Sequence, residues 1–215
     1  MMKVVLLILT AVVAYFLGGI NGSIISSLSF FHRDVRNYGS GNAGLTNYLR
    51  TFGTSSLAVV ALIDILKSVI AILIGGWLMH FVDARMVGRL FACFCLIMGH
   101  MYPIYYNFRG GKGVLCAGVL AWMVDWRVGL VCWAVFLIVV IFTRYVSLGS
   151  MTGSLCMPVF MWIFDFGTLE GVLALLIALL VVVKHAENIV RLIGGTESKL
   201  NLKSGDSRRK DRTRR

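Results

Sequence analysis

The chain has 215 residues, of which 58% are apolar and only 14% are charged, and its mean hydropathy is +0.83. This composition excludes a soluble globular domain and predicts a membrane protein with several spans, since about 20 apolar helical residues cross the hydrocarbon core. The net charge is +11. Seven of the 21 Lys and Arg residues lie in 201–215. This cluster predicts either a disordered tail on the positive, cytoplasmic side or a segment that binds anionic lipid heads. Binding of nucleic acid is not expected.

Seven apolar runs follow one another along the chain and predict seven helices, because open sheet edges cannot survive in lipid. The fourth run is short, about 18 Å at 1.5 Å per residue, and the sixth contains Pro158, so it is expected to be kinked or tucked among its neighbours. The first run is expected to be a span and not a cleaved signal, since its charged region is only Lys3. The runs are 4–25, 55–81, 87–106, 113–124, 128–146, 150–165 and 169–184.

Three polar segments, 26–55, 107–113 and 184–199, connect or follow these runs. If all seven runs cross, the three segments share one face, which then carries sixteen Lys and Arg against four on the other. The positive-inside rule places that face in the cytoplasm, with the N-terminus outside and the C-terminus inside. Five crossings with two non-crossing runs satisfy the same parity, but we prefer seven.

A glycine-rich stretch with one lysine, "YNFRGGKGVLC" (106–116), stands at the end of the third run. Gly110, Gly111 and Gly113 would let backbone N–H groups approach a phosphate, the helix expected from Val114 adds its N-terminal dipole, and Lys112 adds a charge. It is not a Walker A loop, which needs Ser or Thr after the lysine. The alternative is a tight turn at the membrane edge with Lys112 as a topogenic charge.

A second glycine-rich stretch, "YGSGNAGLTNYLR" (38–50), is similar in composition. Arg50 at its end suits a bidentate contact with a phosphate or carboxylate. The alternative is a flexible polar loop, which fits poorly with amides and hydroxyls set between glycines. The candidate phosphate-binding residues here are Gly39, Ser40, Gly41, Asn42, Thr46, Asn47 and Arg50.

The third stretch, "KHAENIVRLIGGTESK" (184–199), follows the last run. His185, Asn188 and Arg191 are spaced at i, i+3 and i+6, which places them along one side of a helix. The alternative is a satisfied histidine at the membrane interface beside a capping asparagine. Together, three phosphate-suited segments on one face predict a phosphate-binding site there.

Three ordered motifs, "GSGNAGLTN", "GHMYPIYYNFRGGKGV" and "HAENIVRLIGGTESK", carry a resemblance over nearly the whole chain. The chain resembles the bacterial acyl-phosphate:glycerol-3-phosphate acyltransferases. It departs from them at Leu45, at 115–116 and at Ala186, and 18–24 lacks an expected proline. These departures concern the surroundings of the site more than the reaction.

The resemblance implies transfer of a fatty acyl group from acyl phosphate to the 1-hydroxyl of sn-glycerol 3-phosphate, which yields lysophosphatidic acid and phosphate, the first step of phospholipid synthesis. It also implies a bacterial cytoplasmic (inner) membrane location with the site facing the cytoplasm. The base would be His185 or the acceptor's own phosphate, since no histidine is followed by the Asp of a His-x4-Asp motif. By similarity, Ser40, Lys112, His185 and Asn188 form the catalytic set, and Arg50 and Arg191 help to hold phosphate.

Supporting roles behind these residues are expected for His100 and Glu197, and for Asp64 and Lys67, which are spaced i, i+3 inside the second run. The last two would form an ion pair that shapes the site floor or is purely structural. His100 with Pro103 is expected to kink the third helix. The five cysteines are expected to be reduced and free of metal.

The sequence therefore predicts an all-α polytopic membrane acyltransferase with one domain, 1–200, and a basic tail, 201–215. No metal and no cofactor are expected, because the acidic residues of the cytoplasmic face are scattered. The expected partners are glycerol 3-phosphate, long-chain acyl phosphate and the bilayer, with the protein a monomer. The alternative function is a small-anion or phosphate-ester transporter, which would instead place polar sites near mid-bilayer and show two similar halves.

Overall fold

The structure, a computed structural model, describes residues 1–200 and is all-helical over that range, with no strand. This confirms the predicted all-α class. The basic tail, 201–215, lies outside the described residues. The helices are α1 (Met2–Gly19), α2 (Gly22–Phe31), α3 (Leu45–Phe52), α4 (Leu57–His80), α5 (Arg85–Met101), α6 (Val114–Val124), α7 (Trp126–Thr143), α8 (Val146–Ile163), α9 (Thr168–Lys184) and α10 (Ala186–Ile193).

Each of the seven apolar runs lies mainly on one helix, except that the first run is divided between α1 and α2. Within 1–200, five helical units are long and apolar enough to cross a membrane, and a sixth is added if α9 and α10, bent by 58°, count as one span. Helix α6 has only 11 residues, about 16 Å at 1.5 Å per residue, so the number of seven crossings stays a prediction. The five units are Met2–Phe31, Leu57–His80, Arg85–Tyr106, Trp126–Thr143 and Val146–Ile163.

The first apolar run is interrupted between α1 and α2. Asn21 caps α2 by accepting a hydrogen bond from the Ile24 backbone N–H at 3.0 Å, as short polar side chains commonly do at helix starts. Its amide group also donates to the Ala43 carbonyl at 3.0 Å. The interruption therefore ties the second glycine-rich stretch to the end of the first span.

Helices α1 and α5 pack at the distance that glycines allow. A Cβ at Gly18 would overlap the Leu96 carbonyl oxygen, and one at Gly99 would overlap that of Tyr15. Small residues at such contacts let membrane helices approach closely, where packing rather than the hydrophobic effect holds them together. The close packing of α1 on α5 fixes the position of the end of α5, from which the loop before α6 begins.

Pro103 does not act as predicted. Helix α5 ends at Met101, and Pro103 caps the start of the 3-10 turn Ile104–Tyr106. Pro103 therefore lies after the end of the helix and does not kink it. Pro158 lies inside α8, one helix of 18 residues. All five cysteines are free thiols.

Candidate active site

The three polar segments meet at one cavity of about 300 Å³. Segment 107–113 connects α5 to α6, and segment 184–199 begins at the end of α9 and includes α10. The stretch 38–50 is held near α1 and α2 by the hydrogen bond from Asn21 to Ala43. The polar lining consists of Ser40, Asn42, Thr46, Asn47, Arg50, Asp64, His100, Lys112, Ser147, Ser150, Ser154, His185, Asn188, Arg191, Glu197 and Ser198.

The loop before α6 uses its glycines differently from the prediction. The N–H groups of Gly110 and Gly111 donate to the carbonyls of Met101 and His100 at 3.2 and 3.0 Å, and neither glycine is among the lining residues. A Cβ at Gly110 or Gly111 would overlap His100. The expected backbone cradle is therefore corrected at these two glycines, which are needed for close packing on α5, while Lys112 and Gly113 reach the cavity.

The stretch 38–50 is folded around the buried amide of Asn47. Its nitrogen donates to the carbonyls of Val35, Tyr38 and Asn42 at 3.0–3.2 Å, and its oxygen accepts from the Ser40 N–H at 2.9 Å. An amide with both ends committed in this way shapes the loop and has little capacity left for a ligand. The loop is thus a fixed structure, not a flexible one.

Glycine at 39 and 41 is required by the backbone of this loop. Gly39 and Gly41 have φ of +60° and +70°, a region that residues with a Cβ rarely adopt. Neither is among the residues that line the cavity. They position Ser40 and Asn42, which do line it, and do not themselves face a ligand.

Glu197 joins the third segment to α8. Its carboxylate accepts hydrogen bonds from Ser147 and Asn188, both at 2.7 Å, and from Arg191 at 2.8 Å. Burial raises the pKa of Glu197, but the hydrogen bonds from Ser147, Arg191 and Asn188 outweigh burial and hold the pKa below its usual value. The carboxylate is charged and orders the two α10 side chains.

The first and second segments are joined to this network. Lys112 donates a hydrogen bond to the Asn188 side-chain oxygen, and Arg50 donates to the Ser198 carbonyl at 2.9 Å. His185 is buried, and its Nδ1 donates to the Val181 carbonyl at 2.7 Å. In the neutral ring, Nε2 of His185 is then free to accept a proton.

Positive charge dominates this end of the cavity. Arg50, Lys112 and Arg191 line it, against the carboxylates of Asp64 and Glu197. Burial and, next, the charge of Arg191 lower the pKa of Lys112 to about 8. Since Lys67 neutralises Asp64 at 2.7 Å, the arrangement favours a bound anion.

The opposite end of the cavity is an apolar arm between α6, α7 and α8. Ala121 on α6 and Met157 on α8 are the lining residues farthest along their helices from Lys112 and Ser147, and Cys132 on α7 lines the cavity with them, so we assign these three to the far end. Gly113 and Ala121 are eight residues apart on α6, about 12 Å along the axis. The other apolar lining residues include Leu115, Ala117, Trp133, Phe136 and Val146.

Two contributors were not found from the sequence. Ser147 lies in the short gap between the apolar runs 128–146 and 150–165, and nothing in the sequence connected it to Glu197, 50 positions away. Arg36 forms an ion pair with Asp34 at 2.6 Å. It also donates hydrogen bonds to the carbonyls of Tyr106 and Arg109 at 2.7 and 3.2 Å. These bonds connect the chain just before one glycine-rich stretch, 38–50, to the other, 106–116. The Asp34-x-Arg36 spacing before "YGSG" was the available signal.

The fold and the cavity define an integral membrane protein with a pocket for an anionic molecule and an adjoining apolar arm. The family model for glycerol-3-phosphate acyltransferase matches residues 8–195. The glycerol-3-phosphate acyltransferases of Thermoanaerobacter sp. (strain X514) and Clostridioides difficile (strain 630) are both 42% identical, over 92% and 94% of this chain and 97% and 99% of their own length. The chain belongs to the glycerol-3-phosphate acyltransferase family.

Solved structures agree with this assignment. The crystal structure of PlsY (YgiH), an integral membrane glycerol 3-phosphate acyltransferase, in its glycerol 3-phosphate form is 32% identical with a TM-score of 0.80, over 91% of this chain and 96% of that one. The lysophosphatidic acid form is 30% identical with a TM-score of 0.78. The chain is thus a multi-pass membrane enzyme, as the sequence predicted.

Proposed function

We propose that the protein transfers a fatty acyl group from acyl phosphate to the 1-hydroxyl of sn-glycerol 3-phosphate, releasing lysophosphatidic acid and phosphate. The observation that carries this is one cavity with a cationic end and an apolar arm, because both substrates have a phosphate and the donor also has a lipid tail. The related PlsY structures contain glycerol 3-phosphate in one case and lysophosphatidic acid in the other.

In this reaction Arg50, Lys112 and Arg191 hold phosphate oxygens. Lys112 stabilises the charge that grows as phosphate leaves, and Asn188 keeps the ammonium in place through its side-chain oxygen. An acyl phosphate is already activated, so positioning and electrostatics supply much of the acceleration. Ser40 also lines the cavity and contributes its hydroxyl to phosphate binding.

The donor is tested by comparing palmitoyl phosphate with palmitoyl-CoA and palmitoylated acyl carrier protein, using purified protein in lipid nanodiscs. We expect lysophosphatidic acid to form from glycerol 3-phosphate only with the acyl phosphate. Product formation from either thioester at a similar rate would contradict the proposed donor.

Two groups remain as the base: His185, through Nε2, and the phosphate of the acceptor. If His185 is the base, the parent enzyme should show an acidic limb in the pH profile of kcat/KM, and the His185→Gln variant should lose it. An unchanged apparent pKa in the surviving rate would exclude His185 and favour the acceptor phosphate.

The end of the apolar arm should set the accepted chain length. The Ala121→Phe variant should react at least tenfold more slowly with a sixteen-carbon than with a ten-carbon acyl phosphate, relative to the parent. Displacing two methylenes from an apolar site costs about 1.6 kcal/mol, which is about tenfold. Ala134→Phe is the matched control, since Ala134 lines a separate apolar groove with Trp122 and Leu130; equal effects of both substitutions would contradict the assignment of the arm.

The activity should not need a divalent metal. Within the described range, 1–200, no three His, Cys, Asp or Glu residues are grouped to hold an ion, and the charge of the phosphates is met by arginine and lysine. We expect the rate in EDTA to equal the rate in excess Mg²⁺. Loss of activity in EDTA that Mg²⁺ restores would overturn this prediction.

We infer a topology of seven crossings that includes α6, with the N-terminus outside and the cavity and C-terminus in the cytoplasm of a bacterial inner membrane. The meeting of the three polar segments at one cavity supports their shared face, which seven crossings would give. A green fluorescent protein fused after residue 215 should fluoresce in cells. A dark fusion together with an active alkaline phosphatase fusion at the same position would contradict this orientation.

A single chain supplies every polar segment of the cavity, which supports a monomer with one domain, 1–200. The tail, 201–215, is outside the described residues, and its binding to anionic lipids stays a proposal. Flotation with vesicles that contain anionic lipid, for a peptide of residues 201–215, tests it; equal recovery with neutral vesicles would contradict it.

A further inference from the structure

A buried lysine beneath the cavity is surrounded by acceptors. The Lys67 ammonium lies 2.7 Å from the Asp64 carboxylate and 2.6 and 3.2 Å from the carbonyls of Ile20 and Gly18. It also lies 2.8 Å from Nδ1 of His100. A lysine ammonium has three donors and no acceptor, so Nδ1 of His100 accepts in this contact.

This contact determines where the His100 ring carries its proton. A nitrogen that accepts a hydrogen bond has no proton, so the proton of the neutral ring lies on Nε2. A doubly protonated ring would set two donors against each other at 2.8 Å. Asp64 lies 4.0 Å from Nδ1, beyond hydrogen-bond reach, and does not relieve that conflict. His100 is therefore a neutral ring with a fixed N–H donor at Nε2.

The Nε2 side of the ring faces the loop before α6, at Gly111. A Cβ at Gly111 would overlap Nε2, and His100 lines the cavity together with Lys112 and Gly113. Among residues 1–200, the hydrogen bond that the structure gives the ring is made by Nδ1, and Nε2 is not one of the fully buried atoms that lack a partner. Because His100 lines the same cavity as Lys112 and Arg191, the N–H at Nε2 is suited to an oxygen supplied by a ligand.

We propose that His100 is a catalytic residue that donates a hydrogen bond from Nε2 to a phosphate oxygen of a substrate, with Asp64 and Lys67 holding the ring in the donating tautomer. This goes beyond a structural role at the end of α5, and it rests on the function proposed above. The phosphate could belong to the acyl donor or to glycerol 3-phosphate, since the chemistry that Nε2 recognises is the same in both.

Two substitutions separate the two ring nitrogens of His100. Asparagine places an oxygen near the position of Nδ1, where it accepts from Lys67, but it has nothing at Nε2. Glutamine places an amide N–H₂ near the position of Nε2 and gives up the contact with Lys67. The donor role thus predicts more activity in His100→Gln than in His100→Asn, and a purely structural role predicts the reverse order.

The experiment measures kcat and KM for palmitoyl phosphate and for glycerol 3-phosphate in both variants, with thermal unfolding in the same detergent. We expect His100→Asn to unfold near the parent temperature and to lose about 10²–10³-fold in kcat/KM, the usual effect of removing one such donor. His100→Gln should lose less than tenfold. The substrate whose KM rises in His100→Asn is the one that receives the hydrogen bond; a loss in kcat alone assigns the donor to the transition state.

Parent-like activity of His100→Asn, or equal losses in both variants, would overturn the proposal. The proposed function fails separately, through an inactive parent enzyme or an active Lys112→Ala variant. If neither His100 variant folds, the parent labelled with ¹⁵N-histidine gives the answer, with His32→Gln, His80→Gln and His185→Gln assigning the His100 signals by elimination. We expect a neutral ring protonated at Nε2 whose Nε2 signal moves when glycerol 3-phosphate or acyl phosphate is added; an Nδ1-protonated ring, or no movement with either, would contradict it.

Discussion

Replacing Lys112 by alanine will lower kcat/KM for acyl transfer by about 10²–10³-fold, the range found when a preorganised donor is removed from a developing charge. Lys112 lies at the start of α6, lines the cationic end of the cavity and is held by Asn188. The fold should be preserved, since the ammonium makes no buried ion pair. Steady-state kinetics of the two proteins in nanodiscs measures this, and a loss below tenfold would contradict the assigned role.

The same residue gives the activity an alkaline limit. The pKa of Lys112 is lowered to about 8, so its charge is present below that pH and is lost as the pH rises through it. We expect kcat/KM, which reports the free enzyme, to fall above about pH 8. In Lys112→Arg the guanidinium stays charged, so the alkaline fall should disappear even if the rate is lower. An unchanged alkaline limb in Lys112→Arg would assign it to another group.

Replacing Glu197 by alanine is expected to destabilise the fold by about 2–4 kcal/mol. The substitution leaves Ser147 and Asn188 without the partner that each has at 2.7 Å, and an unsatisfied buried group costs about 1–3 kcal/mol. Arg191 is about one-third exposed, so the loss of its ion pair adds little. Thermal unfolding in detergent, followed by circular dichroism, measures the change.

Glu187 provides the control for Glu197. It pairs with the same arginine, but at 3.7 Å and with a side chain that is 86% exposed, so Glu187→Ala should change stability by less than about 0.5 kcal/mol. Equal destabilisation by the two substitutions would contradict the assigned role of Glu197. The folded-state pKa of Glu197 is lowered. The stability that Glu197 contributes to the fold is therefore present above the usual glutamate pKa of about 4.3, and it is lost as the pH falls through the folded-state pKa.

The helical architecture could be predicted because apolar length and polar gaps determine what lipid tolerates. The start of α6 at Val114 was predicted because glycines and a lysine precede an apolar run. The break at Ile20 was missed because hydropathy continues through it, and only Asn21 marks the new helix. The number of crossings was the weakest part, since α6 is shorter than the bilayer core.

The sequence predicted which segments form the candidate site, but it did not predict which side chains in them contact one another. Lys112, Arg50 and Asn188 were expected to share a face and do line one cavity. The role of Asn47 as the organiser of its loop, and the bond between Ser147 and Glu197, depend on tertiary geometry that spacing does not encode. The glycines of the loop were assigned to phosphate, whereas Gly110 and Gly111 allow the close approach to His100.

The most direct test of acyl transfer at this cavity is the release of phosphate from palmitoyl phosphate by purified protein in nanodiscs, with and without glycerol 3-phosphate. We expect release that depends on the acceptor, with one lysophosphatidic acid formed per phosphate, and its loss in Lys112→Ala. Release without acceptor, or no release from folded protein, would contradict the assignment of the cavity as an acyl-transfer site and would favour an anion-transport function.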